Sequence, residues 1–167
     1  MERSQAIEKI LPAFERYYTI KKDEVTPPFC AVAEFRSHNE QYFLVRSAHI
    51  ADLDSNEFVF FTDCDELTEQ SLSDFVTTAW ETGLSRVRPH SGHRNSDISL
   101  IIFTDKLSDA SKIKNKKTKL YKSYKFSFYG WSNFKLAVYS LSEMTAYSNR
   151  HGKDFAKLIM KNIKNPS

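Results

Sequence analysis

The side chains best suited to holding a ligand gather in residues 84–97, LSRVRPHSGHRNSD. The stretch has neither a helical nor a strand period. It carries Arg86, Arg88, His90, His93 and Arg94 and no acid before Asp97. Long irregular segments in compact domains are commonly binding loops, and the plain alternative is a solvated connection. A guanidinium offers a planar fork of donors and an imidazole adds a titratable one, so the chemistry that fits is capture of phosphate, sulfate or carboxylate oxygens. A second candidate is the turn Asn149-Arg150-His151-Gly152 ahead of the last helix, where helix N-terminal amides would add to Arg150 and His151; a plain helix-capping turn is the alternative. His90 and His93 also form an HxxH pair. A zinc site needs a third or fourth ligand, and only His49 and His151 offer further imidazoles, so neither a metal nor a cofactor is expected.

Arrangements for nucleophilic catalysis are missing. There is no GxSxG elbow, no cysteine beside a histidine in a recognisable setting, and no phosphate-cradling glycine pattern in a chain with four glycines. No catalytic residue is assigned. Cys30 and Cys64 stand far apart without a CxxC partner and read as reduced, unlinked thiols. Between Leu84 and Lys125 three Arg and eight Lys face three Asp, a balance of +8, while the rest of the chain carries −5. Lys112, Lys114, Lys116, Lys117 and Lys119, followed by Tyr121, Lys122, Tyr124 and Lys125, combine phosphate-neutralising charge with rings on which bases stack. A solvated lysine face is the plain alternative.

The elements that must position these groups follow from periodicity. Residues 4–18 have apolar positions at helical spacing, interrupted by Pro12, which bends or restarts the helix. Three strands are predicted at 29–36, 42–50 and 57–62, joined as antiparallel hairpins through polar turns at 37–41 and 52–56. Thr68 caps a second helix whose apolar stripe runs from Leu72 to Trp80, with Gly83 as its C-cap. Residues 98–104 form a nearly continuous apolar strand, which predicts burial on both faces. A short lysine-rich helix at 107–119, a meander at 121–129, 133–141 and 144–148, and a last helix over 153–163 complete the chain. In the meander, alternation places Tyr124, Phe126 and Phe128 on one face opposite Val138, Leu136 and Phe134, leaving Lys125, Tyr129, Lys135 and Tyr139 on the other. The expected class is α+β: one domain over residues 1–167, with a mostly antiparallel sheet of about six to seven strands and helices packed on one side.

Composition bounds the rest. The 167 residues are 41% apolar and 27% charged, close to globular averages, which argues against disorder and fibrous classes. Thirteen Phe, eight Tyr and two Trp predict a core built around large rings. No apolar run is long enough to span a bilayer and the N-terminus lacks the apolar core of a signal peptide, so the expected setting is cytoplasmic and without a membrane partner.

Two resemblances add to this. The stretches Ser37-His38-Asn39-Glu40, Gly83-Leu84-Ser85-Arg86-Val87-Arg88-Pro89-His90-Ser91 and Tyr121-Lys122-Ser123-Tyr124-Lys125-Phe126-Ser127, with Gly130-Trp131-Ser132, resemble a small family of uncharacterised bacterial proteins of Firmicutes type. The similarity covers most of the chain and implies no activity. The order helix, three strands, helix, strand over residues 4–104 resembles the restriction-nuclease-like core, whose members hold a divalent ion with an Asp and a Glu-x-Lys. Glu34-Phe35-Arg36 and Glu57-Phe58-Val59 lack that lysine. These features point first to a non-catalytic binding module for a phosphate-bearing ligand or nucleic acid. The alternatives are a metal-dependent hydrolase or nuclease and a homo-oligomer with an aromatic interface.

Overall fold

A computed structural model of the chain describes residues 1–36 and 54–164. The strand predicted at 42–50, the turn at 37–41, residues 52 and 53 of the turn at 52–56 and His49 lie outside the described residues, while Asp54, Ser55 and Asn56 extend the following strand instead of turning. Helix α1 spans Arg3–Ile10 and stops short of Pro12, which has no N–H to donate back to Glu8. The chain tightens there into a 3-10 turn, Leu11–Ala13, that tucks Phe14 into the core. Strand β1 (Thr19–Lys21), which no periodicity predicts, follows, and then β2 (Ala31–Arg36), β3 (Asp54–Leu67), α2 (Glu69–Arg86), β4 (His93–Leu107), α3 (Asp109–Lys117), β5 (Tyr121–Ser123), β6 (Trp131–Ser140), β7 (Thr145–Ser148) and α4 (Lys153–Lys164).

The α+β class holds, with seven strands among the described residues, but the sheet is mixed. Its order is β1-β2-β3-β4-β6-β5, with β7 also on β6. The two longest ladders, β3 with β4 and β4 with β6, are parallel. A parallel neighbour needs a crossover long enough to bring the chain back, and α2 and α3 supply the two crossovers. The short outer pairings are antiparallel, and β2 lies directly against β3, Ala31 opposite Phe61.

Helices cover both faces, correcting the one-sided expectation. Ala6, Ile7 and Ile10 of α1 and Phe155 and Ile159 of α4 pack on Val59, Phe61, Ile101, Phe103 and Tyr139. On the opposite face Leu72, Val76 and Ala79 of α2 meet Phe58, Phe60, Ile98, Leu100, Ile102 and Leu136. The unbroken apolar run of β4 is what a central strand sandwiched between two helical layers requires. Each large side chain so buried contributes about 1.5–3 kcal/mol. Thr68 caps α2 by accepting from Ser71 N, as foreseen, yet the helix runs on to Arg86 and carries Gly83 inside it, against Ile98. With β4 starting at His93, the irregular segment shrinks from 84–97 to 87–92.

The expected meander does not form as drawn. β5 ends at Ser123, with Tyr121 opposite Asn133 and Ser123 opposite Trp131. Phe126 and Phe128 face solvent instead of Leu136 and Phe134, and Tyr139 is buried. β5 and β7 occupy different stretches of the same outer edge of β6, because β4 holds the inner one.

Candidate anion-binding edge

The outer edge of β6 is paired with β5 over Trp131–Asn133 and with β7 over Ala137–Ser140, leaving a gap at Phe134 to Leu136. Asn149 fills it. Its side-chain Oδ1 accepts from Leu136 N (3.0 Å), its Nδ2 donates to Phe134 O and Thr118 O (3.0 Å each), and its backbone N donates to Leu136 O. Leu120 O takes the remaining donor, Phe134 N. The same Oδ1 accepts from Gly152 N at 2.8 Å, which fixes the turn that opens α4. Gly152 must be a glycine here, since a Cβ would collide with the carbonyl of Leu136.

Between α3, β7 and this turn lies a cleft of about 460 Å³. Lys112, Lys116, Arg150 and Lys153 bring four cations to its lining, and Ile113 and Tyr147 give it an apolar side. Lys112 is committed: its Nζ lies 2.7 Å from Glu143 and over the Tyr147 ring, and the Tyr147 hydroxyl donates to the same carboxylate. Those two donors hold the Glu143 carboxyl below its ordinary range. Among the described residues Lys116, Arg150 and Lys153 have no carboxylate partner. The first-turn amides of α4 have no intrahelical acceptor and carry the positive end of the helix dipole. The arrangement can therefore bind a multiply charged anion.

The structure brings Arg150 into this cleft, with His151 exposed beside it in the turn and outside the lining. It does not gather the five donors of residues 84–97 at one point. Arg86 turns toward β2, donating to Glu34 at 2.8 Å and lying over the Phe60 ring. Arg88 donates to the carbonyls of Ser85 and Val87. His90 Nδ1 accepts from Gly92 N. His93 is 3% exposed and turns toward the segment ahead of β6: Nδ1 donates to the carbonyl of Tyr129, and Nε2 pairs with Ser96 Oγ at 2.8 Å. Arg94 is exposed at the start of β4, its carbonyl against Gly130.

Two ionic clusters were not visible in the sequence. Lys135 Nζ lies 2.9 Å from Glu57 and 3.1 Å from Asp97, while Tyr18 donates to the other Glu57 oxygen at 3.3 Å. Burial raises the Glu57 carboxyl, and Asp97 adds to this against the pull of Lys135. Burial would lower Lys135, but its two carboxylates outweigh it and hold the ammonium charged. At the opposite end of the strands Arg3 pairs with Asp63, Asp65 and Asp105. The signal for the first cluster was a charge standing among apolar strand positions, and for the second the acids Asp63 and Asp105 that close two similar apolar runs. Among the described residues no group of three or more His, Cys, Asp or Glu is placed to hold a metal ion, and no helix is long and apolar enough to cross a membrane. Cys30 and Cys64 are free thiols.

No curated protein and no solved structure matches the chain. A family model does, over residues 2–161, and its extent answers to the resemblance seen across most of the sequence. The chain belongs to the family described as Domain of unknown function (DUF8052).

Proposed function

We propose that the protein is a non-catalytic, single-domain binding module for a phosphate-bearing ligand, seated in the cleft between α3, β7 and the head of α4. One observation carries this reading: Lys116, Arg150 and Lys153 line a single concave site without carboxylate partners among the described residues. Cations on a folded surface usually find an acid or spread out. Here three line one cleft beside the N-terminus of α4, and each charge-assisted hydrogen bond to a phosphate oxygen contributes about 1.5–3 kcal/mol. Ile113 and Tyr147 would take the ligand's apolar part. The same reading sets the module in the cytoplasm of a bacterium of Firmicutes type, following the sequence resemblance.

Calorimetry with inorganic pyrophosphate and with ATP tests the site. The wild type should bind at least one of them, and a Lys116→Ala, Arg150→Ala double variant should bind it about tenfold or more weakly, the equivalent of one lost charge-assisted contact. Equal affinity in both proteins, or no binding by the wild type, overturns the reading.

A further inference from the structure

Along the same outer edge of β6, toward its Trp131 end, the chain makes a turn that is costly and well held. Lys125, Phe126 and Ser127 have φ of 47°, 55° and 72°, three successive non-glycine residues in the left-handed region. That conformation costs an ordinary side chain about 1–2 kcal/mol each. The turn is nevertheless fastened at every level. Tyr129 N donates to Tyr124 O, Phe128 N to Lys125 O and Gly130 N to Ser127 O. At its base His93 holds the carbonyl of Tyr129, the Tyr124 hydroxyl pairs with Ser132, and Gly130 has φ of 84° where a Cβ would strike Arg94 O. What this delivers is two phenyl rings in water: Phe126 is 95% exposed and Phe128 80%. The alternating pattern would have allowed a longer strand with both rings packed inward. A fastened, strained turn that displays its rings marks a contact surface.

The charge around it names the occupant. From Lys112 to Lys125 there are seven lysines and no acid, and the next acid is Glu143. Lys122 and Lys125 lie over the rings of Tyr124 and Tyr129, at 5.7 and 4.9 Å, and Tyr121 is exposed on β5. Because β5 and β7 share the outer edge of β6, the ring-bearing turn and the cationic cleft fall along one side of the molecule. We propose that this edge binds single-stranded nucleic acid, with phosphates in the cleft and along the lysine row and bases stacked on Phe126 and Phe128. The inference rests on the proposed phosphate site and names its ligand class. A base has a π-face whatever its identity, so stacking on such rings is tolerant of sequence, and the lysine contacts make binding fall steeply with salt. An anionic bilayer would engage the tip of the turn alone and leave the cleft cations unused.

Anisotropy of a short fluorescent oligothymidylate and of the matching oligouridylate tests the edge, alongside pyrophosphate and ATP calorimetry and co-sedimentation with phosphatidylserine–phosphatidylcholine vesicles. A Phe126→Ala, Phe128→Ala variant should bind the oligonucleotides about tenfold or more weakly than wild type. Its pyrophosphate and ATP affinities should stay the same. Both rings are solvent-exposed, so the variant should melt with wild type. The Lys116→Ala, Arg150→Ala variant should lose oligonucleotide and small phosphates together. Wild type that binds pyrophosphate or ATP but neither oligonucleotide overturns this inference and leaves the phosphate site standing. Ring-independent oligonucleotide binding overturns it as well, as does ring-dependent sedimentation with vesicles without oligonucleotide binding. Ring-dependent oligonucleotide binding that the Lys116 and Arg150 changes do not touch supports the stacking surface and removes the phosphate site.

Discussion

Lysine is used in two opposite ways around β6. On the inner side Lys135 reaches across the sheet to Glu57 and Asp97 and is enclosed with them beneath Phe155. On the outer side Lys116 and Lys153, with Arg150, stand around an open cleft without acids to answer them among the described residues. A buried charge must be paired within the fold, because leaving it alone costs several kcal/mol. A solvated charge has no such need, so its partner can come from outside. The contrast separates charges that serve the fold from charges available to a ligand.

The largest effect should come from breaking the inner cluster. Lys135→Ala leaves two carboxylates, Glu57 nine-tenths buried, facing each other without a counterion, and should cost about 3–5 kcal/mol in urea unfolding. A loss below about 1 kcal/mol would mean that the enclosure is wet and the contrast false. Next, Gly130→Ala adds a Cβ that meets Arg94 O and lies 2.6 Å from His93 Nδ1, at a φ that alanine rarely adopts. We expect about 2 kcal/mol of destabilisation, read as a lower melting point together with weakened oligonucleotide binding.

A smaller effect is a pH slope. Burial lets native Glu57 keep its proton to higher pH than the unfolded chain does, so the native state binds more protons in that window. Stability should therefore fall as pH rises from the ordinary glutamate value, about 4.3, through the raised native one. Glu57→Gln should flatten that part of the profile, and an unchanged profile would show that Glu57 does not titrate there. The smallest effect belongs to the outer edge: Lys116→Ala with Arg150→Ala should alter unfolding stability by no more than about 0.5 kcal/mol. A larger loss would place those cations in the fold and collapse the distinction.

How much of this could be read from sequence follows from the range of the forces involved. α2 and α4 were legible because a 3.6-residue stripe is local, and the apolar run of β4 already announced a strand buried on both faces. The parallel ladders were half legible: an 18-residue helix between two strands is a crossover, yet the turns around it invite hairpins. Residues 124–128 misled because Tyr, Lys, Phe, Ser and Phe alternate as a strand does, and no glycine or asparagine marks the three left-handed positions. The place of Arg150 in a turn before a helix was legible. Its meeting with Lys116 was not, since that depends on α3 and α4 reaching the same sheet edge. The Lys135 cluster draws each member from a different strand, and nothing in any one strand points to the other two.

Asn149 has a consequence for what the molecule excludes. A carboxamide is a peptide group on a side chain, one carbonyl and one N–H donor set, and here it stands in as a single rung of a strand that is not present. With β5 before it and β7 after it, the outward N–H and C=O groups of Phe134 and Leu136 are all occupied. An open edge of a sheet is a template on which a strand of any other chain can zip. The outer edge of β6 is filled from Trp131 to Ser140, so a strand approaching from that side finds no long template, only the short flanks of β5 and β7, and what arrives there is chosen more by lysines, arginine and rings than by a backbone that every protein shares.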